Sequence, residues 1–148
     1  MAKYSIQLTR TANAAASLGT FSSSATVRRV KLYEATVGSP ASPADNVFQF
    51  IFQRITAPGT NTAVTPQPLD LADAAALTAA GTNNTVEPTY TANAVLLTIP
   101  LNQRATFRWV APPYGELVTP ATNNAGLGIQ TPTATAVTIN ADLKIEEQ

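Results

Sequence analysis

The chain has 148 residues, with nine basic and nine acidic side chains, so its formal charge is zero. It has no cysteine and no histidine, which excludes disulfides, thiolate nucleophiles, zinc–thiolate sites and histidine bases. This length is typical of one domain, and we expect a single domain over residues 1–148. Only 12% of the residues are charged while 45% are hydrophobic, so a packed core is expected. Balanced charge disfavours broad nucleic-acid or membrane surfaces.

Alternation of apolar and polar residues with a period of two predicts an all-β protein of about eight strands. In the second predicted strand the apolar residues change face, which predicts a β-bulge near Glu34. Turn clusters of Pro, Gly and Asn separate the strands and favour a sandwich or barrel. The predicted strands are 4–9, 27–37, 47–55, 86–90, 94–99, 105–110, 126–130 and 137–145.

The predicted strand 47–55 has apolar residues on both faces. Phe48, Phe50 and Phe52 lie on one face, and Val47 shares the other with further apolar and amide side chains. Apolar residues on both faces are typical of a strand with neighbours on both sides. We therefore expect this strand in the interior of its sheet.

Residues 11–24 contain few large apolar side chains and include an alanine run and a serine run. This composition predicts an arm or a long loop, which neighbouring subunits in an assembly would order. A solvated loop that joins two strands explains the composition equally well.

The segment 70–81 departs from the strand pattern. Asp70 is a favourable N-cap, the following residues are strong helix formers, and Gly81 is a common helix end. We therefore expect one short helix near residues 70–80. Asp70 and Asp73 also resemble part of a calcium or magnesium site, but their spacing matches no known binding loop. The capping interpretation is favoured, and no metal is predicted.

Arg28 and Arg29, together with Lys31, form the densest positive cluster of the chain. In a strand, residues 29 and 31 share a face and residue 28 lies opposite, so the cluster is not one continuous patch. Arg28 and Arg29 are candidate contacts with an anionic part of a protein partner. The alternative is that these charges only protect a strand edge from aggregation.

Basic and aromatic residues alternate near residues 104–109. Phe107 and Trp109 share one face of the predicted strand, and Arg104 and Arg108 share the other. We expect the rings to enter the core and the arginines to meet carboxylates or solvent. Binding of single-stranded nucleic acid needs exposed aromatic platforms, so no nucleic-acid partner is predicted.

The loop 111–115 combines rigidity with an aromatic side chain. Pro112 and Pro113 stiffen it, Gly115 permits a tight turn, and Tyr114 carries a ring with a polar tip. A rigid loop loses little conformational entropy on docking, so Pro112, Pro113 and Tyr114 are candidate contacts with another subunit. A stiff connection with Tyr114 packed on its own domain is an equally good interpretation.

Common catalytic and targeting patterns do not occur. The sequence has no phosphate-binding glycine loop, no Gly-x-Ser-x-Gly elbow and no suitably spaced carboxylate pair. We therefore expect no enzymatic activity and no cofactor. It also has no run of about 18 apolar residues and no hydrophobic signal region at its start. We expect no membrane partner and synthesis in the cytoplasm of the host.

Three parts of the chain resemble small proteins of tailed bacteriophages and prophages. They are the segments 4–19 (YSIQLTRTANAAASLG), 28–63 (RRVKLYEATVGSPASPADNVFQFIFQRITAPGTNTA) and 87–128 (EPTYTANAVLLTIPLNQRATFRWVAPPYGELVTPATNNAGLG). Among those proteins, the chain is similar to capsid decoration, or cement, proteins. The resemblance covers most of the chain but contains no catalytic signature.

The resemblance implies a jelly-roll-like β-sandwich that binds the outside of an icosahedral capsid, often as a homotrimer. Its partners would be the major capsid protein and further copies of itself, and its place would be the outer surface of the virion. The low charge and the predicted β-structure suit that role, because such a protein packs beside many neighbours. The alternative is a carbohydrate-binding or receptor-binding β-sandwich displayed on a virion. That function would need Trp109, Tyr90 and Tyr114 exposed beside polar groups.

Overall fold

The structure, a computed structural model, describes residues 1–10, 16–132 and 137–148. Within those ranges it contains twelve β-strands and no helix, and therefore no helix that could span a membrane. The strands are β1 (Lys3–Arg10), β2 (Ser17–Ser23), β3 (Val30–Ala41), β4 (Val47–Ala57), β5 (Thr60–Val64), β6 (Gln67–Pro68), β7 (Thr78–Val86), β8 (Thr89–Asn102), β9 (Phe107–Val110), β10 (Leu117–Thr119), β11 (Gly126–Gln130) and β12 (Thr138–Glu147).

The strands form two antiparallel sheets. Sheet A has the order β10-β3-β12-β1-β6, with β9 also paired to β3, and sheet B has the order β5-β7-β2-β11-β4-β8. Strands β1 to β4 alternate between the sheets, β12 lies between β1 and β3, and β11 lies between β2 and β4. The predicted all-β class is confirmed, and two sheets around a shared core are the arrangement expected of a β-sandwich.

The core lies between the two sheets and is built by alternate residues of both. In β12 every second residue from Ile139 to Ile145 is buried, and in β4 the phenylalanines at 48, 50 and 52 are buried. Phe48 and Phe50 pack with their ring centroids 5.1 Å apart and tilted by 59°. Strand β4 pairs with β11 on one side and β8 on the other, so its predicted interior position is confirmed.

Two details of the predicted strand pattern have different outcomes. The β-bulge expected near Glu34 is confirmed, because Lys144 pairs with Glu34 and the next residue of β12 pairs with Leu32. The strand expected over 86–90 is wrong, because the chain turns there between β7 and β8. The total of about eight strands is also too low, since β2, β5, β6, β7 and β10 were not expected.

The short helix expected near residues 70–80 is not formed. Asp70 does cap a local structure, but that structure is a turn, in which its carboxylate accepts a hydrogen bond from Ala72 N at 2.9 Å. From Thr78 onward the chain forms β7, which pairs with β2 and β5. Pairing on both sides satisfies the backbone of β7, and this tertiary gain outweighs the helix propensity of the alanines.

The prediction of an arm or long loop over residues 11–24 is wrong for residues 17–23, which form strand β2. Every residue of β2 is buried, and the strand lies between β7 and β11 in sheet B. Its polar side chains obtain partners from distant parts of the chain, as Ser17 does from Glu87. A buried hydroxyl with a partner costs little, so small polar residues fit this interior strand. Residues 11–15 lie outside the described residues.

The packing of β4 predicts that substitutions at its buried and its exposed positions change the free energy of unfolding by very different amounts. Phe50→Ala removes a fully buried ring and should lower the free energy of unfolding by about 3 to 5 kcal/mol. Val47→Ala, on the same strand at 73% exposure, should change it by less than about 0.5 kcal/mol. Urea unfolding followed by tryptophan fluorescence measures both values. Equal effects of the two substitutions would contradict this position of the core.

Candidate functional site

The residues predicted as contacts lie in two separate places. Arg28 and Arg29 are exposed in the connection between β2 and β3, and not on a strand as expected. Pro112, Pro113 and Tyr114 are exposed in the connection between β9 and β10. The first group precedes β3, while the second lies beside the middle of that strand at the edge of sheet A. The structure therefore provides two separate candidate surfaces.

Residues 112–115 form a tight turn that displays one aromatic ring. Gly115 N donates to Pro112 O at 2.8 Å, which closes the turn. A Cβ at Gly115 would lie 2.7 Å from Pro112 Cγ, so glycine is needed for this close approach. Tyr114 occupies the third position with a φ of 65° and is 101% exposed. Its ring therefore does not pack on its own domain, which removes that interpretation.

The backbone of Tyr114 is strained. A positive φ brings the Cβ of an L-residue close to its own backbone, and bulky residues rarely adopt it. Glycine is the usual residue at this position of such a turn. The molecule thus carries a conformational cost at a residue that makes no contribution to its own core. Such strain is found most often at functional surfaces.

The second candidate surface, around Arg28, includes an exposed apolar segment that was not expected from the sequence. The segment Leu69 to Leu77, which failed to form the predicted helix, leaves Leu71 95% exposed and Leu69 52% exposed. Ala74, Ala75 and Leu77 of this segment line a groove of about 290 Å³, whose lining also includes Arg28 and Glu147. The signal in the sequence was the set of leucines and alanines between 69 and 77, which the sequence analysis interpreted as a helix.

The outer face of sheet A carries charges that pair with one another. Arg108 donates from Nε and Nη2 to the two carboxylate oxygens of Glu34 at 2.7 and 2.9 Å. This contact lowers the pKa of Glu34, chiefly through the hydrogen bond from Arg108. Lys144 contacts Asp142 at 2.8 Å on the same face. The expectation that Arg108 meets a carboxylate is confirmed, and the face presents little unbalanced charge to a neighbour.

Sheet B differs from sheet A because its strands are almost free of charge. Its six strands contain a single charged residue, Arg54. Arg54 Nη1 donates to Val118 O of β10 at 2.9 Å, so this arginine connects the two sheets at one edge. The outer surface of sheet B therefore consists of hydroxyl, amide, glycine and apolar groups, which do not repel a closely packed protein neighbour.

Glu87 lies at the turn between β7 and β8 and accepts several hydrogen bonds from the start of β2. Its carboxylate accepts hydrogen bonds from Ala16 N, from Ser17 N at 3.2 Å and from Ser17 Oγ. Ser17 Oγ also contacts Tyr90 Oη at 2.7 Å, and the buried Arg10 guanidinium donates to Ala16 O. These bonds use the carboxylate to fix the start of β2. We therefore interpret Glu87 as a structural residue that holds β2 against the β7–β8 turn.

Tyr90 is held in the same cluster, over the backbone of β11. A Cβ at Gly128 would lie 2.7 Å from Tyr90 Oη, so the ring needs glycine beneath it. Burial raises the pKa of Tyr90 from an ordinary value of 10.0 to about 12. The hydrogen bond with Ser17 acts in the opposite direction and lowers this pKa by less than burial raises it. The nearby charge of Glu87 raises it further.

The aromatic residues that a carbohydrate site would need are not gathered in one place. The expectation that both rings enter the core is confirmed for Trp109, which is partly buried and packs against it. It is wrong for Phe107, which remains 46% exposed because β9 lies at the edge of sheet A. Tyr90 is fixed over β11, and Tyr114 stands alone on its turn. This distribution gives the carbohydrate-binding alternative no specific support. In the described ranges no group of three or more acidic side chains is placed to hold a metal.

Comparisons with protein-family models, with curated proteins and with solved structures find no match for this chain. A function is therefore supported by the residues of the chain and by their geometry.

The pKa of Tyr90 predicts a loss of stability in alkaline solution. Below about pH 10 its phenol is neutral in the folded and the unfolded chain, and above it the unfolded chain ionises first. Tyr90→Phe should therefore reduce the loss of stability between pH 9 and pH 11 by about 1 kcal/mol. Urea unfolding at the two pH values measures this. Tyr114→Phe removes an exposed phenol and serves as the control that should leave the loss in place.

The strain at Tyr114 predicts that glycine at this position stabilises the fold whereas alanine does not. Tyr114→Gly should raise the free energy of unfolding by about 0.5 to 1 kcal/mol, because relief of the strained φ exceeds the added backbone entropy of glycine. Tyr114→Ala keeps the Cβ and should leave stability within about 0.5 kcal/mol of the original. Thermal and urea unfolding distinguish them. Destabilisation by both substitutions would show that the ring packs on its own domain.

Proposed function

We propose that this protein is a structural component of a virion that binds the outer surface of an icosahedral phage capsid. It stabilises the capsid by bridging neighbouring major capsid subunits. The observation that carries this proposal is the turn at 112–115, which presents a fully exposed Tyr114 in a strained backbone conformation. The capsid as partner comes from the resemblance of three segments to phage decoration proteins, to which the comparisons with known proteins add no support.

The turn has the properties of a binding anchor. Tyrosine is enriched among the residues that dominate protein interfaces, because its ring buries a large area and its hydroxyl keeps a partner. Pro112 and Pro113 restrict the backbone before binding, so little entropy is lost when the ring docks. Val110 at the end of the adjacent β9 is 52% exposed and extends the apolar surface beside the turn. This edge of sheet A is the proposed contact with the capsid.

We further infer that the sandwich is a jelly roll. The support is the order of its pairings, in which β1 and β3 flank β12 in one sheet while β2 and β4 flank β11 in the other. The last two strands thus return between the first four, as in two interlocked Greek keys. Jelly rolls occur in viral capsid proteins and in lectins, so this likeness is an analogy at the level of the fold.

The proposed mechanism needs neither a reaction nor a cofactor. A protein that binds the assembled capsid but not the separated subunits shifts the equilibrium toward the assembled capsid. Many copies act together, so contacts that are weak individually hold a large shell. The paired charges of sheet A and the nearly uncharged sheet B allow these copies to lie close without mutual repulsion. Nucleic acid and membrane are not part of this mechanism.

The proposal predicts that purified protein binds expanded, empty capsids of the phage that carries its gene and does not bind free coat protein. Tyr114→Ala and Tyr114→Gly should each raise the dissociation constant about tenfold or more, as for a central interface tyrosine. Thr98→Ala, an exposed change on sheet B, is the matched control and should leave binding unchanged. Co-sedimentation with capsids, and the temperature at which DNA is released from decorated particles, measure these effects.

Two results would contradict the proposed function. One is a protein that fails to bind capsids at any concentration tested. The other is capsid binding that is equally strong with and without the tyrosine ring, which would remove the 112–115 turn from the contact.

A further inference from the structure

Residues 58–88 form an insertion that leaves the sandwich and returns to it at one point. Ala57, the last residue of β4, pairs with Thr89, the first residue of β8, so the two ends of the insertion lie side by side. Gly59 lies close to this point with a φ of 71°, and a Cβ there would lie 2.4 Å from Val86 O. The insertion contains β5, β6 and β7. We call residues 58–88 the strap.

The strap covers one edge of each sheet. Its strand β7 pairs with β2 along residues 19–23, and its strand β6 pairs with β1 at Tyr4 and Ser5. Leu69 N also donates to Lys3 O of β1 at 2.9 Å. Without the strap, β1 and β2 would be edge strands at this side of the sandwich, with unpaired N–H and C=O groups. Such an edge is a template for pairing with another chain, so the closed strap protects both strands.

The strap adds little to the core that it covers. Among the described residues, none of the hydrophobic side chains that form the buried core belongs to the strap. Its three leucines are exposed. Five residues of the strap are buried and none has a large apolar side chain: Pro66, Thr78, Gly81, Asn84 and Pro88. Burial of apolar surface is the main driving force for folding, and segments with few buried apolar contacts open most easily. The strap should therefore open at a lower free energy than the sandwich unfolds.

Hydrogen bonds from side chains supplement the strand pairing that holds the strap. The Glu147 carboxylate accepts from Thr78 N and Thr78 Oγ1 at 2.6 and 2.5 Å. Thr82 Oγ1 donates to Thr9 O at 2.7 Å and accepts from Thr9 N at 2.6 Å. Water replaces such partners when the strap opens, so each bond stabilises the closed form by only a small net amount. The attachment is therefore specific in direction but weak compared with the packing of the core.

We propose that the strap opens and closes as a unit about the point where Ala57 pairs with Thr89, while the remaining strands stay folded. Opening exposes Thr20 of β2, which is 1% exposed in the closed form and accepts a hydrogen bond from Asn61 Nδ2 at 3.1 Å. It also makes the edges of β1 and β2 available for strand pairing. The strap is thus a conformational device that controls access to one side of the sandwich. It operates in the isolated chain and does not depend on the proposed capsid binding.

The first test compares a thiol beneath the strap with a thiol in the core. The chain has no cysteine, so a single introduced cysteine is the only group that a thiol reagent labels. Thr20→Cys reports on the strap, and Ala141→Cys, at a position 2% exposed in β12, reports on the core. In native buffer Thr20→Cys should be labelled about tenfold faster or more, and urea should accelerate it less steeply, because opening exposes less surface than unfolding. Equal rates with equal urea dependence would overturn the proposal.

The second test needs no substitution and therefore detects any loosening of the strap by Thr20→Cys itself. Amide hydrogen exchange of the original chain should be faster in β7 than in β12, and the exchange of β7 amides should depend less on urea. The amides of β3 serve as a further reference, because β3 lies in the interior of sheet A and has no strap strand beside it. If β7, β12 and β3 exchange through one common opening, the strap does not move separately and the proposal is wrong.

Two matched substitutions, each made in both reporter chains, separate opening of the strap from unfolding. Ile99→Val trims a buried side chain outside the strap, so labelling of Ala141→Cys should accelerate about two- to tenfold. Labelling of Thr20→Cys should not change, because the closed and the open form are destabilised equally. Thr82→Val removes the bonds to Thr9 and destabilises only the closed form, so both reporters should accelerate by the same factor, about two- to tenfold. Acceleration of both reporters by Ile99→Val would overturn the proposal, as would an unchanged rate at Thr20→Cys in Thr82→Val.

Discussion

The fold depends on the return of β11 and β12 into the space between strands from the first half of the chain. Strand β12 pairs with β1 and β3, and β11 pairs with β2 and β4, so each sheet is completed only when the C-terminal strands arrive. Most of the buried core consists of side chains from these six strands, joined by Ile99 of β8 and by Val137 just before β12. Because these pairings are distant in sequence, the chain must lose much conformational entropy before they form. The packed core offsets that loss.

The same constraint explains how polar residues come to lie inside. Strand β2 contains serine, threonine and glycine, yet it is an interior strand whose every residue is buried. Its hydroxyls are satisfied by groups brought from other strands, with Ser17 bonded to Glu87 and Thr20 Oγ1 to Asn61 Nδ2 at 3.1 Å. A buried polar group with a partner is tolerated, whereas the same group without one costs more than 1 kcal/mol. The interior of sheet B is therefore held by specific hydrogen bonds as well as by packing.

The exposed features of the molecule stand out against surfaces that carry little net charge. Six charged residues of sheet A form three ion pairs, and the strands of sheet B contain Arg54 alone. Among the described residues, Tyr114 at 101% and Leu71 at 95% are the most exposed large hydrophobic side chains. We propose the turn that carries Tyr114 as the contact with the capsid.

Periodicity in the sequence was enough to predict the all-β class, the interior position of β4, the bulge at Glu34 and the packing of Trp109, because these follow from which side chains alternate along one strand. It was also enough to single out the turn that carries Tyr114, since prolines and glycine restrict the backbone locally. Only the tertiary structure showed that β2 and β7 are strands and that residues 70–80 form no helix. Those segments are governed by partners far away in the sequence, and hydrogen bonds to such partners outweigh the local preferences that a sequence displays.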